Sequence, residues 1–199
     1  MIDITRTTTQ LLNDLHDADN DRVWEQFDAR YRPVIFNFVR RFGLNDADAA
    51  DVAQDTLIQF TREYRDGKYD RERGRLRSWI ITIARFKALG LRRNDARGGL
   101  KRGDSAIINM EDEAEMTRVW EAERRTVMLR QAMDELKSTS KAADKTIEAF
   151  ELLITKHMAP AKVAEVLDMG VHDVYLAKSR CTQRLRKILD TMEAAYEGD

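Results

Sequence analysis

An all-helical chain of two small domains joined by a connector, the second of them a helix-turn-helix, is what this sequence predicts, and three observations carry the prediction. Apolar residues recur every three or four positions almost throughout, and only 9 glycines and 2 prolines punctuate 199 residues, whereas strands would need strict alternation and more turns. Charge is gathered in blocks: 14 Lys or Arg against 5 acids between Arg62 and Arg102, then 7 acids against the single base Arg118 between Asp104 and Glu123. Between Pro160 and Leu189 the apolar set Val163, Ala164, Val166 and Leu167, a turn at Met169-Gly170, and the stripe Val174, Cys181, Leu185 and Ile188 describe two short helices at an angle.

Residues 1–20 read as an arm that is loose or forms a short helix. A first domain follows over residues 21–97. Val23, Trp24, Phe27, Tyr31, Val34, Ile35, Phe38 and Phe42 keep helical spacing up to Gly43, with Arg40 and Arg41 favourable to the dipole at the helix end. Pro33 lies inside that pattern, so the helix kinks there or two helices meet. Asn45 is placed to cap the next helix, whose first turns hold Asp46, Asp48 and Asp51. Its apolar side is Val52, Ala53, Leu57, Phe60 and Tyr64, and Ile58 interrupts the polar side. Asp66-Gly67 ends it, a polar loop containing Tyr69 runs from Lys68 to Gly74, and a third helix extends from about Leu76 to Arg93 through Trp79, Ile80, Ile83 and Ala88.

Residues 98–123 form an acidic, weakly periodic connector with room for local helix. The second domain covers residues 124–190: one helix through Val127, Leu129, Ala132, Met133 and Leu136, a break at Ser138-Thr139-Ser140, another through Ile147, Phe150, Leu153 and Ile154, then the helix-turn-helix, opened by Pro160 at a first-turn position. Its last helix exposes Lys178, Arg180, Arg184, Arg186 and Lys187 with no acid between Lys178 and Lys187, which suits insertion beside a phosphate backbone in the DNA major groove. Residues 191–199 are an acidic tail.

Several function classes are disfavoured. The longest apolar run, Trp79 to Ala84 and broken by Thr82, is far short of the roughly 20 residues a membrane span needs. Met1 to Leu12 lacks the ordered regions of a signal peptide, so the chain is expected to be cytoplasmic, without membrane insertion. The single cysteine, Cys181, falls on an apolar stripe and reads as a core residue, and His16, His157 and His172 are too dispersed for a metal site, so no metal or other cofactor is expected. Asp46, Asp48, Asp51 and Asp55 could be drawn as carboxylates of a nuclease, but no His or Cys stands near to complete such a centre.

Taken together, four stretches resemble the extracytoplasmic-function sigma factors of bacterial RNA polymerase, within the sigma-70 family. They are Tyr31-Arg32-Pro33 through Phe38-Val39-Arg40-Arg41; Asp48 through Thr56; Leu76 through Ile80 with Ile83-Ala84-Arg85; and Val174-Tyr175 through Arg180 with Arg184-Leu185-Arg186. The resemblance covers about Trp24 to Leu189 and implies a non-enzymatic factor that binds core RNA polymerase and directs promoter-specific initiation. Under it, Asp51, Gln54, Asp55 and Ile58 face the core polymerase. Lys68, Tyr69, Arg73, Arg75, Arg77, Trp79, Arg85 and Phe86 handle the minus-ten element, where unstacked bases need flat partners and phosphates need cations. His172, Asp173, Tyr175, Lys178, Ser179, Arg180 and Arg184 read the minus-thirty-five element, with Asp173 equally suited to capping its helix. Trp79, in the stripe with Leu76 and Ile83, reads as a core residue before a base contact. Phe86 stands where the family usually has Asn, and Ala50 replaces a common acid that a phosphate on neighbouring Thr56 would restore. An anti-sigma protein is a further partner the resemblance implies. The alternative is a stand-alone helix-turn-helix regulator, which would use only the second domain.

Overall fold

A computed structural model of the chain describes residues 6–16, 20–70, 72, 74–97, 112–139 and 144–196, and these contain eight α-helices and no strand. They group into two compact units, Met1–Val127 with Ala195–Asp199, and Met128–Ala194. Among the described residues no helix is long and apolar enough to cross a membrane.

The first unit is built on α2 (Asp21–Arg40), α3 (Asp46–Arg65) and α4 (Leu76–Arg97). Each begins or ends for a local reason. Asn20 and Asn45 accept hydrogen bonds from the amides of Val23 and Asp48 as N-caps, at 3.3 and 2.9 Å. Gly43, with φ +78°, terminates α2, while α3 closes with Gly67 at φ +71°, the amides of Gly67 and Lys68 returning to the carbonyls of Tyr64 and Glu63. Pro33 neither ends α2 nor splits it. Tyr31, Val34, Ile35 and Phe38 around it are all fully buried, and packing on that scale outweighs the missing backbone hydrogen bond.

Phe27, Tyr31 and Phe60 form the aromatic centre, Phe27 stacking on Phe60 with ring centroids 5.2 Å apart. The N-terminal arm contributes to this core. Thr7 and Gln10 make a reciprocal capping box that starts α1 (Thr8–Asp14), and Leu11, Leu12 and Leu15 are buried. Of the two readings of the arm, the structure takes the short helix.

The expected connector is only partly one. Residues 98–111 lie outside the described residues, but α5 (Glu113–Thr139) begins early, and Met116, Trp120 and Glu123 on its first half are buried in the first unit. Trp120 meets Phe38 edge-on at 5.6 Å, and Glu123 takes a hydrogen bond from Arg41 at 2.6 Å. Weak sequence periodicity concealed this stretch, because its acids pair with cations of other helices and its apolar residues are few.

The second unit packs the rest of α5 with α6 (Asp144–Ile154), α7 (Pro160–Leu167) and most of α8 (Val171–Tyr196). Its buried cluster joins Ala149, Val163, Ala164, Leu167, Val174 and Ala177. Cys181 is buried too, beside the Thr146 carbonyl, and burial pushes its thiol pKa up. Leu129 and Ile154, expected on apolar stripes, are instead exposed; Met128 takes the buried place next to Leu129. The tail beyond residue 190 continues α8 as far as Tyr196, and Ala195 and Tyr196 are buried in the first unit.

Candidate nucleic-acid and partner interfaces

Three surfaces gather the residues singled out by sequence. On α3, Asp51, Gln54, Asp55 and Ile58 follow the i, i+3, i+4, i+7 pattern and are all exposed, because Val52, Ala53, Leu57 and Phe60 turn the other side of the helix into the core. Ile58 is 45% exposed among polar neighbours. Lys87 approaches Asp55 at 3.8 Å. Ile58 also borders a cleft of about 530 Å³ that Trp24, Thr61, Arg62 and Arg65 help to line. Thr56 belongs to the opposite side: it is fully buried and its hydroxyl donates to the Val52 carbonyl at 2.6 Å. A phosphate there would have neither access nor solvent, so Thr56 is not placed to restore charge to this face.

The second surface lies where the loop after α3 meets the start of α4. Tyr69 stacks on Trp79 with centroids 5.2 Å apart and planes at 18°, and Trp79 in turn stands edge-on to Phe60 at 5.6 Å. Trp79 is therefore held between the core ring of Phe60 and the loop ring of Tyr69. A cleft of about 240 Å³ opens beside this pair, lined by Lys68, Tyr69, Asp70, Gly74, Arg75, Ser78, Trp79 and Thr82. Flat rings and cations around a small open cleft suit an unstacked base with its phosphates. Burial and the neighbouring Tyr69 raise the pKa of Tyr64, which sits behind Tyr69.

Not every expected member reaches this cleft. Arg77 points away and binds Glu121 of α5 at 2.9 Å, with both side chains mostly covered. Arg85 and Phe86 lie farther along α4, the Arg85 guanidinium 5.7 Å from the centre of a Phe86 ring that is 63% exposed. Arg73 lies outside the described residues. Conversely, Ser78 and Thr82 line the cleft and were missed. They follow Arg75 and Trp79 by three residues each, a signal available in the sequence but muted because short hydroxyl residues are common on any exposed helix face.

The third surface is the outer side of α8. His172, Asp173, Tyr175, Lys178, Ser179, Arg180 and Arg184 are all exposed. The turn that presents the helix differs in detail from expectation. The turn expected at Met169-Gly170 begins one residue earlier, at Asp168, which is left-handed with φ 49°, and the Met169 amide donates back to the Ala164 carbonyl at 2.9 Å. Gly170 has another use: a Cβ there would stand 2.9 Å from the Asp173 carboxylate, which folds back over the start of the helix. An acid in that place favours the helix dipole.

Comparison with known proteins bears on the first unit. Residues 27–98, which hold most of α2 and all of α3 and α4, match the family model for sigma-70 region 2. This stretch is thus similar to the second region of sigma-70 factors, and it contains both the α3 stripe and the aromatic cleft. Among solved structures, one titled as CnrH in complex with the cytosolic domain of CnrY is similar over 90% of this chain and 95% of that chain, at 24% identity and a TM-score of 0.36. No curated protein matches.

Proposed function

We propose that the chain is a sigma factor of the extracytoplasmic-function kind, not an enzyme, which binds core RNA polymerase and promoter DNA and directs initiation to particular promoters in the cytoplasm. The observation that carries the reading is that the stretch matching sigma-70 region 2 holds an exposed stripe and an aromatic-basic cleft together, 27–98. In this reading Asp51, Gln54, Asp55 and Ile58 dock on the core enzyme. Tyr69 and Trp79 hold bases of the opened minus-ten element while Lys68 and Arg75 neutralise phosphates, with Arg85 and Phe86 further along the strand and Arg73 among the expected DNA contacts. Residues 21–97 are the melting domain, and 124–190 the minus-thirty-five domain, reading duplex DNA through α8. An anti-sigma protein is the expected regulator.

Co-migration of the full chain with bacterial core RNA polymerase tests this, with the double variant Asp51→Arg/Gln54→Ala as control. Saturable binding that the control loses is the expected result. Tight duplex binding by the chain alone, without affinity for the core enzyme, would replace this reading with a free-standing helix-turn-helix regulator.

A further inference from the structure

The outer side of α8 carries an apolar feature that cation chemistry does not account for. Val174, Ala177, Cys181 and Ile188 are buried and fix which side of the helix faces its own core. At 3.6 residues per turn the opposite side runs through His172, Leu176, Ser179 and Gln183, with Tyr175 beside Leu176. Tyr175 is 54% exposed and Leu176 36%, adjacent on the second turn, with Val171 exposed one turn before Tyr175. Around and beyond them stand the exposed cations Lys178, Arg180, Arg184, Arg186 and Lys187. The nearest acid, Asp173, is folded toward the helix start.

An apolar pair surrounded by cations calls for an occupant with a polyanionic rim and an apolar floor. Duplex DNA has that chemistry: phosphates line the groove, and the thymine 5-methyl group projects into the major groove among hydrogen-bonding base edges. We infer that Tyr175 and Leu176 contact thymine methyl groups, so that the element read by α8 carries thymine, on either strand, opposite the helix's first two turns. The inference rests on the reading of α8 as a duplex-reading helix. It adds to that reading a named pair of specificity-determining residues and the base feature they recognise.

The test uses holoenzyme assembled from the full chain and core polymerase. A randomised minus-thirty-five duplex is selected for binding, and each enriched thymine is then replaced by deoxyuridine, which removes the methyl and leaves every hydrogen-bonding group. Losing one buried methyl contact is expected to weaken binding about fourfold. Tyr175→Ala or Leu176→Ala should abolish that difference between thymine and uracil, and Tyr175→Phe should keep it, since the ring rather than the hydroxyl makes the contact. Both side chains are exposed, and deoxyuridine alters no residue, so a folding defect cannot imitate the result. An enriched element without thymine, or equal binding of thymine and uracil duplexes, overturns the inference while the sigma reading stands, and assigns the apolar pair to a protein surface instead. Failure to bind core polymerase or to enrich any sequence overturns both.

Discussion

Tyr69 is the residue whose chemistry is easiest to isolate. Trp79 divides its contacts between Phe60 and Tyr69, so removing it would disturb core and cleft at once, whereas Tyr69 offers its ring mainly to Trp79, Tyr64 and the cleft. Tyr69→Ala is expected to weaken holoenzyme binding to single-stranded minus-ten DNA by about 1–3 kcal/mol, the usual worth of one stacked base, while Tyr69→Phe stays close to wild type. Titration with a fluorescent oligonucleotide measures this, and equal affinity for Ala and Phe would remove Tyr69 from the DNA contact. Cys181 gives a second prediction. Burial raises its folded pKa above the ordinary thiol value of about 8.5, so the folded state prefers the neutral thiol. The stability this represents is complete below the unfolded pKa and drains away as pH climbs through the folded one. The thiol should therefore resist maleimide at neutral pH in the native chain and react readily in denaturant, and the second unit should become easier to unfold as pH passes into the alkaline thiol range. Rapid native labelling at neutral pH would contradict the burial of this side chain.

At the level of elements, paired cations can be told from free ones by which measurement they move. Arg77 joins α4 to α5 through Glu121, itself bound by Arg124 at 3.0 Å, while Arg75 lines the cleft. Arg77→Gln should cost up to about 1 kcal/mol of stability, as partly exposed ion pairs do, and leave DNA affinity alone. Arg75→Gln should do the reverse, and a DNA defect for Arg77→Gln would show that its pairing is exchanged on binding. The end of α8 supplies the other prediction. The Tyr196 hydroxyl donates to the Arg30 carbonyl at 3.3 Å, and the guanidinium groups of Arg30 and Arg124 lie 5.0 and 5.3 Å from the ring centre. Tyr196→Phe loses one neutral hydrogen bond, about 1 kcal/mol, and Tyr196→Ala the ring as well, about 3 kcal/mol or more. Denaturant unfolding followed by tryptophan fluorescence reads both, since Trp24, Trp79 and Trp120 all belong to the first unit. Nothing in the sequence marked this anchor, since an aromatic near the end of an acidic tail has no periodic partner; its partners, Arg30 and Tyr31, are 165 or so residues away along the chain. Local signals fared better. Asn45, Gly43 and the spacing from Val52 to Phe60 made α2 and α3 legible, because caps and amphipathic stripes are written within a few residues. The first half of α5 was not legible, because Arg41, Arg77 and Phe38, which explain its acids and Trp120, belong to other helices. In the clefts the same division holds: rings and cations declared themselves by type, and Ser78 and Thr82 gained a role only once folding placed them at the rim.

For the whole molecule, a formal net charge of −1 predicts no affinity for a polyanion, so binding to DNA has to come from where the charges sit rather than from their sum. The outer side of α8 is such a place, with Arg186 two turns beyond Ser179 and exposed, next to Lys187. A cation that meets a phosphate acts through counterion release. Its removal lowers affinity for every sequence alike and reduces the steepness of the plot of log K against log salt by about one unit. Arg186→Ala is expected to do this in holoenzyme bound to a complete promoter duplex. Leu176→Ala should instead leave the salt slope unchanged and flatten the preference among minus-thirty-five sequences, since an apolar contact releases no ions. Measuring both variants across a salt series on matched and scrambled elements separates the two kinds of contact. If Arg186→Ala altered preference without altering the slope, its guanidinium would be a base reader, and the line between recognition and charge on α8 would have to be drawn one turn farther along the helix.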